Sequence, residues 1–356
     1  MLSTNVGDAR LAKKIVVIRG DGTGPELTEA AMKVMKSIGA TDRMEFLIRD
    51  AGSEWWQQHG GATYFPDETW EALRESDACY KAPVTTLPDP HTPKSVAVTI
   101  RQTFNLYANV RPVKTFRGRE GPLGHVDMLF VREGTEGLYA GIEFMISDEI
   151  GVAIRKISRA ASEKVARFAF EQAKARGWKK VIVINKANIL KLTDGGIFIP
   201  TVMKVSGGYS GIDVESYFVD NFAQQLVKNP QRFNQNVIVG TNLFMDILTE
   251  EASALIGNIG LVYSANFGDN YAMFEPAHGS APKYKGLNKV NPTAMILAGA
   301  WMLDYLGEKD LSKAVFEATE EVIAENRVVT YDLGGSASTQ QMAEEIARKA
   351  IEKLRK

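Results

Sequence analysis

The chain has 356 residues, and its 45% hydrophobic and 24% charged content is ordinary for a globular protein and argues against disorder. Its 42 basic and 43 acidic side chains give a net charge of -1, so overall electrostatics gives no reason to expect binding to nucleic acid or to an anionic membrane. The single cysteine, Cys79, excludes an intramolecular disulfide and a zinc site built from cysteines, and it fits a reducing cytoplasm.

The N-terminal segment, residues 1–14, is polar and does not resemble a secretory signal, because it lacks a continuous apolar stretch. The longest apolar run, Thr293 to Leu303, is far shorter than the roughly 20 residues that span a bilayer. We therefore expect a cytoplasmic protein that does not enter a membrane. Its length predicts two domains or one large α/β unit.

Short, almost continuously apolar runs predict strands that are buried on both faces, as in a parallel sheet covered by helices. These runs are Lys14–Ile18, Met128–Val131, Lys180–Ile184 and Val237–Val239. Amphipathic spacing predicts a helix over Ser162–Arg176 and a last helix after Ser338. The alternation of strands and helices predicts an α/β architecture. Since no linker divides the chain, two domains would require the chain to pass between them more than once.

The segment Gly20–Glu26 follows the first predicted strand and opens a helix. Its spacing, G-x-G-x-G-P, differs from the G-x-G-x-x-G of dinucleotide-binding folds. Pro25 suits the first turn of a helix, where its missing N–H is not needed. The pattern therefore favours a tight turn over phosphate binding by the glycines.

Three arginines, Arg101, Arg111 and Arg132, lie in compact segments, and Arg132 directly follows a predicted strand. Guanidinium groups bind carboxylates with two hydrogen bonds, so such a cluster suits a substrate with several carboxylates. Each arginine taken alone also fits a surface or interface ion pair.

Asp246 and Glu250 are four residues apart and share one face of a helix, and Asp220 is a further acidic candidate. Such oxygen ligands suit Mg²⁺ or Mn²⁺, although a solvated acidic helix face is the plainer alternative. Lys186 follows a predicted strand, and it and Tyr139 are candidate proton carriers. Alone, each of these two is better explained as structural.

The segment Glu275–Pro292 is dense in Gly, Pro, Lys and Asn, which indicates a long ordered loop of the kind that often carries function. His278 is a candidate for stacking on or hydrogen bonding to a ligand, and Lys283 and Tyr284 for contacting a phosphate. An ordinary exposed basic loop remains an alternative.

Together, these segments resemble the β-decarboxylating dehydrogenases, the family of isocitrate, isopropylmalate and homoisocitrate dehydrogenases. The matching motifs, in chain order, are GDGTGPE, RQTFNLYANVRP, REGTEGLYAGIE, NKANILKLTDG, NLFMDILTEEA, FEPAHGSAPKY and DLGG. The resemblance implies an α/β fold of the isocitrate/isopropylmalate dehydrogenase type, not a Rossmann fold. It implies a large domain of residues 1–106 and 257–356, and a small domain of residues 107–256 with a dimer-forming arm. The active site would lie between them and be completed by the second subunit of a homodimer.

The resemblance also assigns roles to residues. The substrate carboxylates would be bound by Ser95, Arg101, Arg111 and Arg132. The catalytic residues would be Tyr139, Lys186 and Asp220. The Mg²⁺ or Mn²⁺ ligands would be Asp246 and Glu250 from one subunit and Asp220 from the other, and Lys186 would also reach across from the partner. The cofactor would be bound by Thr85, Asn188, His278, Gly279, Ser280, Ala281, Lys283, Tyr284, Val290, Asn291 and Tyr331.

The implied reaction oxidises a 2-hydroxy polycarboxylate. Lys186, with Asp220, would remove the hydroxyl proton while hydride leaves C2 for the nicotinamide. The metal would then stabilise the enolate that forms as CO₂ is lost, and Tyr139 would protonate the enol carbon. Non-catalytic regulatory relatives tend to lose these residues, so the retained set favours an enzyme.

Three positions depart from the family pattern. Glu250 replaces the usual Asp, which keeps the carboxylate but lengthens its reach. Gly134 replaces a common Asn, which removes a polar contact near substrate and nicotinamide. Met245 stands where the family usually has Gly. None of the three removes the catalytic set.

Lys283 and Tyr284 match the pattern of NADP-preferring relatives, whereas NAD-preferring relatives usually carry Asp-Ile there. Tyr331 occupies a position that resembles a phosphate reader. The arginine that often accompanies it is absent, and Gly335 lies in its place. The resemblance therefore implies NADP, with NAD as the alternative.

The segment before Arg101 bears on the substrate. Isocitrate enzymes resemble S-x-N-x-x-x-R there, and this chain keeps Ser95 but has Ala97 in place of Asn. Ala97 and Val98 partly suit an isopropyl group, but isopropylmalate enzymes carry an acidic residue just upstream, where this chain has the basic Lys94. Homoisocitrate enzymes can carry an Arg near position 98, and Val98 does not match it. The run NKANILKLTDGG resembles the isocitrate and homoisocitrate branches more than the isopropylmalate branch. We therefore expect isocitrate, with isopropylmalate and homoisocitrate as alternatives.

Overall fold

The computed structural model describes residues 12–355, so most of the polar N-terminal segment lies outside the described residues. Within that range no helix is both long and apolar enough to cross a membrane.

One ten-stranded sheet runs through the molecule in the order β2-β1-β3-β12-β11-β4-β5-β10-β8-β9, and β6 and β7 form a separate hairpin. The strands are β1 Lys13–Ile18, β2 Met44–Arg49, β3 Ala78–Lys81, β4 Ala108–Lys114, β5 Asp127–Glu133, β6 Glu143–Ser147, β7 Ile150–Ala153, β8 Lys180–Asn185, β9 Asp213–Phe218, β10 Val237–Gly240, β11 Tyr263–Phe267 and β12 Ala272–Pro276. Neighbours pair in parallel at both ends of the sheet, while β11 and β4 pair antiparallel with their neighbours in the middle.

Helices cover both faces of the sheet, as a sheet with apolar residues on both faces requires. They are α1 Gly24–Ser37, α2 Ala40–Arg43, α3 Ser53–His59, α4 Asp67–Glu75, α5 Val96–Thr103, α6 Arg159–Arg176, α7 Ile199–Ser206, α8 Val219–Lys228, α9 Asn242–Ala254, α10 Thr293–Tyr305, α11 Lys309–Glu325 and α12 Thr339–Leu354. Helix α10, whose apolar run is too short to span a bilayer, is instead buried along most of its length.

The predicted strands and helices are present within a few residues of their expected ends. Helix α6 begins after Ser158, whose side chain accepts from Ala161 N, and ends at Gly177 in the left-handed conformation. Helix α12 begins with a capping box between Ser338 and Gln341, which explains why it starts just after Ser338. Local capping therefore fixes the ends of these two helices.

The glycine-rich segment after β1 forms a turn packed against two other loops. The Asp21 carboxylate accepts backbone hydrogen bonds from Ser53, Glu54 and Thr85 at 2.7–3.1 Å. Gly20 and Gly22 have positive φ, and a Cβ on either residue would clash with a backbone carbonyl. These contacts account for the glycines by close backbone packing, as the spacing predicted.

Cys79 lies in β3 with its side chain wholly inaccessible. Burial raises the pKa of its thiol far above the ordinary value.

The hairpin of β6 and β7 exposes a group of large apolar side chains. More than half of the surface of each is exposed in Phe144, Met145, Ile146 and Ile150. Apolar side chains clustered in this way mark a surface for association.

Candidate active site

Arg132, Asp246 and Tyr139 meet where β5 ends. Arg132 is buried, its Nη1 forms an ion pair with Asp246 Oδ1, and its Nε and Nη2 donate to Asn242 Oδ1 at 2.9 and 2.6 Å. Tyr139 lies on a short 3₁₀ turn, its hydroxyl donates to Asp246 Oδ2, and its ring centroid is 4.8 Å from the Arg132 guanidinium carbon. An arginine, a carboxylate and a tyrosine predicted from separate motifs therefore form one cluster.

The environment of this cluster shifts the pKa values of Arg132 and Tyr139. The pKa of Arg132 is lowered to about 10, first by burial and then by the positive charges of Arg101 and Arg111. The negative charge of Asp246 raises this pKa but does not outweigh the lowering effects. The pKa of Tyr139 is raised, first by burial and then by its hydrogen bond to Asp246. The tyrosine hydroxyl therefore keeps its proton well into the alkaline range and is available as an acid.

Arg111, on β4, joins the same cluster. Its Nη1 donates to Glu250 Oε1 at 2.5 Å, and its Nη2 lies 3.7 Å from Asp246 Oδ1. The carboxylates of Asp246 and Glu250 thus face the arginines from one side of α9, as their four-residue spacing predicted. They supply the oxygen ligands that Mg²⁺ or Mn²⁺ prefers.

These two carboxylates do not make a complete metal site by themselves. Between residues 12 and 355 of a single chain, no three His, Cys, Asp or Glu side chains are grouped so that they could hold a metal ion. The third predicted ligand, Asp220, is instead 2.8 Å from Lys186 Nζ. The donor types fit the predicted ion, and the supply of its third ligand by a second chain stays a prediction.

Arg101 is anchored by a buried polar network that crosses the middle of the sheet. Its Nε donates to Asn266 Oδ1 at 2.7 Å and its Nη2 to Glu275 Oε1 at 2.9 Å. Lys81 Nζ lies 2.8 Å from the other Glu275 oxygen, and Asn109 donates to Asn266. Lys81 and Asn266 were not among the predicted site residues, because no strand was predicted at either position.

The segment before Arg101 begins helix α5 and borders the cluster. Ser95 immediately precedes the helix, and its carbonyl accepts from Thr99. Lys94 Nζ donates to Gln102 Oε1, and Gln102 Nε2 donates to the Tyr139 carbonyl at 3.0 Å. An ammonium group therefore lies next to the turn that carries Tyr139.

Lys186 and Asp220 form an ion pair at 2.8 Å on a more exposed surface. The hydrogen bond from Lys186 lowers the pKa of Asp220. Neither residue has a hydrogen bond or ion pair with the Tyr139 cluster of the same chain. Asn188 lies beside Lys186 in an exposed part of the same loop.

A separate cleft of about 420 Å³ brings together most of the predicted cofactor residues. Those lining it are His278, Gly279, Ala281, Tyr284, Val290, Asn291 and Tyr331. The rings of Tyr284 and Tyr331 stack with centroids 6.1 Å apart. Burial lowers the pKa of His278, and its Nε2 has no hydrogen-bond partner among residues 12–355. An unpartnered imidazole nitrogen and stacked rings fit an aromatic, hydrogen-bonding ligand such as an adenine nucleotide.

Three of the remaining cofactor candidates, Thr85, Ser280 and Lys283, lie next to this cleft, whereas Asn188 lies in the Lys186 loop. Thr85 Oγ1 and Ser280 Oγ are 2.5 Å apart. The Ser280 carbonyl also accepts a hydrogen bond from the Thr23 hydroxyl in the glycine-rich turn. Lys283 Nζ lies 5.3 Å from the Tyr284 ring centroid, and Lys289 Nζ lies 4.6 Å from that of Tyr331. Lys289 was not among the predicted cofactor residues, because a lysine in a basic loop is not distinctive until the rings near it are known.

The comparisons with known proteins agree with this geometry. The family model described as Isocitrate/isopropylmalate dehydrogenase matches residues 14–346. The chain belongs to this family. It is 43% identical over 335 residues to the 3-isopropylmalate dehydrogenase of Methanothermobacter thermautotrophicus, with 94% of this chain and 98% of the relative covered. It is 40% identical over 356 residues to the homoisocitrate dehydrogenase of Methanocaldococcus jannaschii, covering 96% and 99%.

A solved structure, the isocitrate dehydrogenase from Methylococcus capsulatus, superposes with a TM-score of 0.89 at 42% identity and covers 95% of this chain and 99% of that one. The predicted fold is therefore confirmed. The protein is an oxidoreductase of a decarboxylating family whose members act on small molecules, use a pyridine nucleotide, require a metal and are typically dimeric. Because similar relatives carry three different substrate names, family membership leaves the substrate open.

Two of the three departures from the family pattern, Gly134 and Met245, have local packing explanations. A Cβ on Gly134 would clash with the carbonyl of Leu106, so this backbone leaves no room for the usual asparagine. Met245 is wholly buried beside Gly240, where a Cβ would lie 2.8 Å from its sulfur. Met245 therefore fills core volume and does not face the arginine cluster with its side chain.

Proposed function

We propose that this protein catalyses the metal-dependent oxidative decarboxylation of isocitrate to 2-oxoglutarate with reduction of NADP. The observation that carries the choice of substrate is the set of cations around Tyr139. Arg101, Arg111 and Arg132 are buried there, and Lys94 lies beside the Tyr139 turn. A third carboxylate would be favoured next to Lys94, whereas an isopropyl group would gain nothing from that ammonium, which is exposed and already donates to Gln102.

The residues have distinct roles in the proposed reaction. The three arginines bind and orient the substrate carboxylates, and Ser95 contributes from the start of α5. Lys186 takes the hydroxyl proton in its neutral form, once the ammonium that pairs with Asp220 has passed a proton to solvent. Tyr139, whose raised pKa keeps it protonated, delivers a proton to carbon after CO₂ leaves.

Asp246 and Glu250, with Asp220 of a second chain, would hold the divalent cation. When bound, the cation stabilises negative charge on the substrate oxygen and the nicotinamide accepts the hydride. Asp246 is paired with Arg132 and Arg111 in this structure. Substrate carboxylates bound to these arginines would replace Asp246 as their partner and leave its oxygens available to the cation.

The proposed preference for NADP is supported by the charge around the tyrosine pair. Lys283 and Lys289 each place an ammonium near one ring, and both side chains are exposed to an incoming phosphate. NAD is the alternative, since a Cβ on Gly335 would clash with the Val329 carbonyl and the accompanying arginine has no place there.

The proposed active assembly is a homodimer with a large domain of residues 1–106 and 257–356 and a small domain of residues 107–256. The sheet supports this division, since its β2-β1-β3-β12-β11 half comes from both ends of the chain and its β4-β5-β10-β8-β9 half from the middle. The separation of Lys186 and Asp220 from the Tyr139 cluster supports a site shared between chains.

A turnover panel tests the proposal. The purified protein with Mn²⁺ is assayed with isocitrate, isopropylmalate, homoisocitrate, tartrate and malate, each with NADP and with NAD. We expect the highest kcat/KM for isocitrate with NADP. A tenfold advantage for isopropylmalate or homoisocitrate would contradict the substrate, and a clear advantage for NAD would contradict the cofactor. The absence of metal-dependent turnover with every substrate would favour a regulatory relative.

A further inference from the structure

Arg155 lies just after β7 and makes a compact set of contacts, with only 16% of its side chain exposed. Its Nη1 donates to Thr193 Oγ1 at 2.9 Å and its Nη2 to Thr241 Oγ1 at 2.8 Å. The same Nη2 lies 2.8 Å from Asp194 Oδ1. The guanidinium carbon is 5.1 Å from the ring centroid of Phe244.

On one side, these contacts lead to the loop that carries Lys186. Asp194 is wholly buried, and its Oδ2 accepts from the backbone N–H of Lys186 at 2.8 Å. Asp194 also begins a π-helical turn, Asp194–Phe198, a rare geometry that recurs at functional sites. The Arg155–Asp194 ion pair therefore fixes the backbone at Lys186.

On the other side, the contacts lead to helix α9. Thr241 immediately precedes this helix, and Phe244 lies in its first turn. The first residue of α9, Asn242, holds Arg132, and the same helix carries Asp246 and Glu250. A guanidinium bound at the start of α9 therefore fixes the helix that presents these carboxylates.

We propose that Arg155 is a positioning residue that holds the Lys186 loop and helix α9 in a fixed mutual arrangement. The inference rests on the proposed function, in which Lys186 serves the partner's active site while Asp246 serves its own. Arg155 then joins a part of one active site to a part of the other. The planar fork of arginine donates to two threonine hydroxyls in fixed directions and keeps its charge beside Asp194, which the single ammonium of lysine does not reproduce.

The first test compares Arg155→Met with Lys156→Met. Lys156 is the matched control, because it is the next residue, carries the same charge and pairs only with Glu136 at 3.3 Å with 56% of its side chain exposed. We expect Arg155→Met to lower kcat by about 100-fold, as misplaced catalytic groups do. The KM for isocitrate should change less than about threefold, since Arg155 touches none of the substrate residues. Equal kcat values for the two variants would overturn the inference and leave the proposed function standing.

Hybrid dimers show on which side Arg155 acts. A dimer of one Lys186→Met subunit and one Asp246→Asn subunit keeps one intact site, built from α9 of the first and the Lys186 loop of the second. Arg155→Met is then added to either subunit, and we expect activity to fall in both arrangements. Loss in only one arrangement would overturn the two-sided role. An inactive parent hybrid would overturn the shared site and, with it, this inference.

Smaller substitutions keep the test decisive if Arg155→Met does not fold. Thr193→Val and Thr241→Val each remove one contact and keep the side-chain volume. Thr193→Val belongs in the subunit that supplies the Lys186 loop, and Thr241→Val in the one that supplies α9. Each should lower kcat without shifting the thermal midpoint relative to Lys156→Met, and unchanged kcat in both would refute the proposal.

Discussion

Lys289 and Gly335 show how single residues adapt a shared cofactor cleft. A glycine at 335 lets the backbone approach Val329 so closely that no side chain fits, while Lys289 Nζ lies 4.6 Å from the Tyr331 ring centroid. Tyr331 carries a raised pKa, mainly through the neighbouring Tyr284 side chain. In the proposed NADP complex, Lys289 would supply the positive charge that an arginine supplies elsewhere in the family.

Lys289→Met should weaken binding of adenosine 2′,5′-bisphosphate about tenfold, because hydrogen bonds to charged groups contribute roughly 1.5–3 kcal/mol. Binding of 5′-AMP, which lacks the 2′-phosphate, should be unaffected, and calorimetry measures both. Lys285→Met is the matched control, since Lys285 lies in the same loop but pairs with Glu54 at 2.6 Å. Equal losses for the two ligands would count against Lys289 as a phosphate contact.

Some of the site residues could be predicted from the sequence and others could not. Arg101, Arg132 and Asp246 lie in motifs of the right residue types, and the structure places them within one connected region. Lys81 and Asn266 were not visible, because their roles exist only once β3, β12 and β11 lie side by side. Such partners, distant in sequence, leave no local spacing to recognise.

Among the elements, strand β12 carries the buried charge on which Arg101 depends. Burial raises the pKa of Glu275, but the adjacent Lys81 and Arg101 outweigh that effect and hold it well below its usual range. The ionised carboxylate is therefore favoured in the folded state. Its contribution to stability is present above the ordinary glutamate pKa of 4.5 and is lost as the pH falls through the lower folded-state value.

Glu275→Gln should lower the free energy of unfolding by roughly 3–5 kcal/mol, because it leaves Lys81 and Arg101 buried without a counter-charge. The acid-dependent part of the stability should shrink as well, which urea unfolding at several pH values below neutrality measures. Asp269→Asn is the control, since Asp269 pairs with Lys164 at the surface and should contribute less than about 1 kcal/mol. A loss no larger than that of the control would refute the structural role of Glu275.

Across the whole molecule, the sequence predicted the α/β class and the main strands, because apolar runs and caps are local signals. It did not predict that β11 and β4 join the two halves of the sheet in antiparallel order. That arrangement depends on contacts between strands more than 100 residues apart. Resemblance supplied the proposed domain division, which periodicity alone left open.

The exposed hairpin bears on assembly. Ile146→Lys on β6 should shift the proposed dimer toward monomer, because it places a charge among side chains that need an apolar partner. Sedimentation velocity measures the shift, and turnover should fall with the dimer fraction. Ile48→Lys is the control, since Ile48 is 47% exposed on the edge strand β2, distant from the hairpin in the sheet order. A dimer that survives Ile146→Lys unchanged would contradict the proposed role of the hairpin.

The burial of Cys79 has a practical consequence. A thiol that is wholly inaccessible and whose pKa is strongly raised stays protonated and out of reach of maleimide dyes in the folded protein. A cysteine introduced at an exposed position would thus be the one reactive thiol in each chain. Fluorescent probes on the hairpin or beside the tyrosine pair can then report subunit exchange and nucleotide binding without removing the native cysteine.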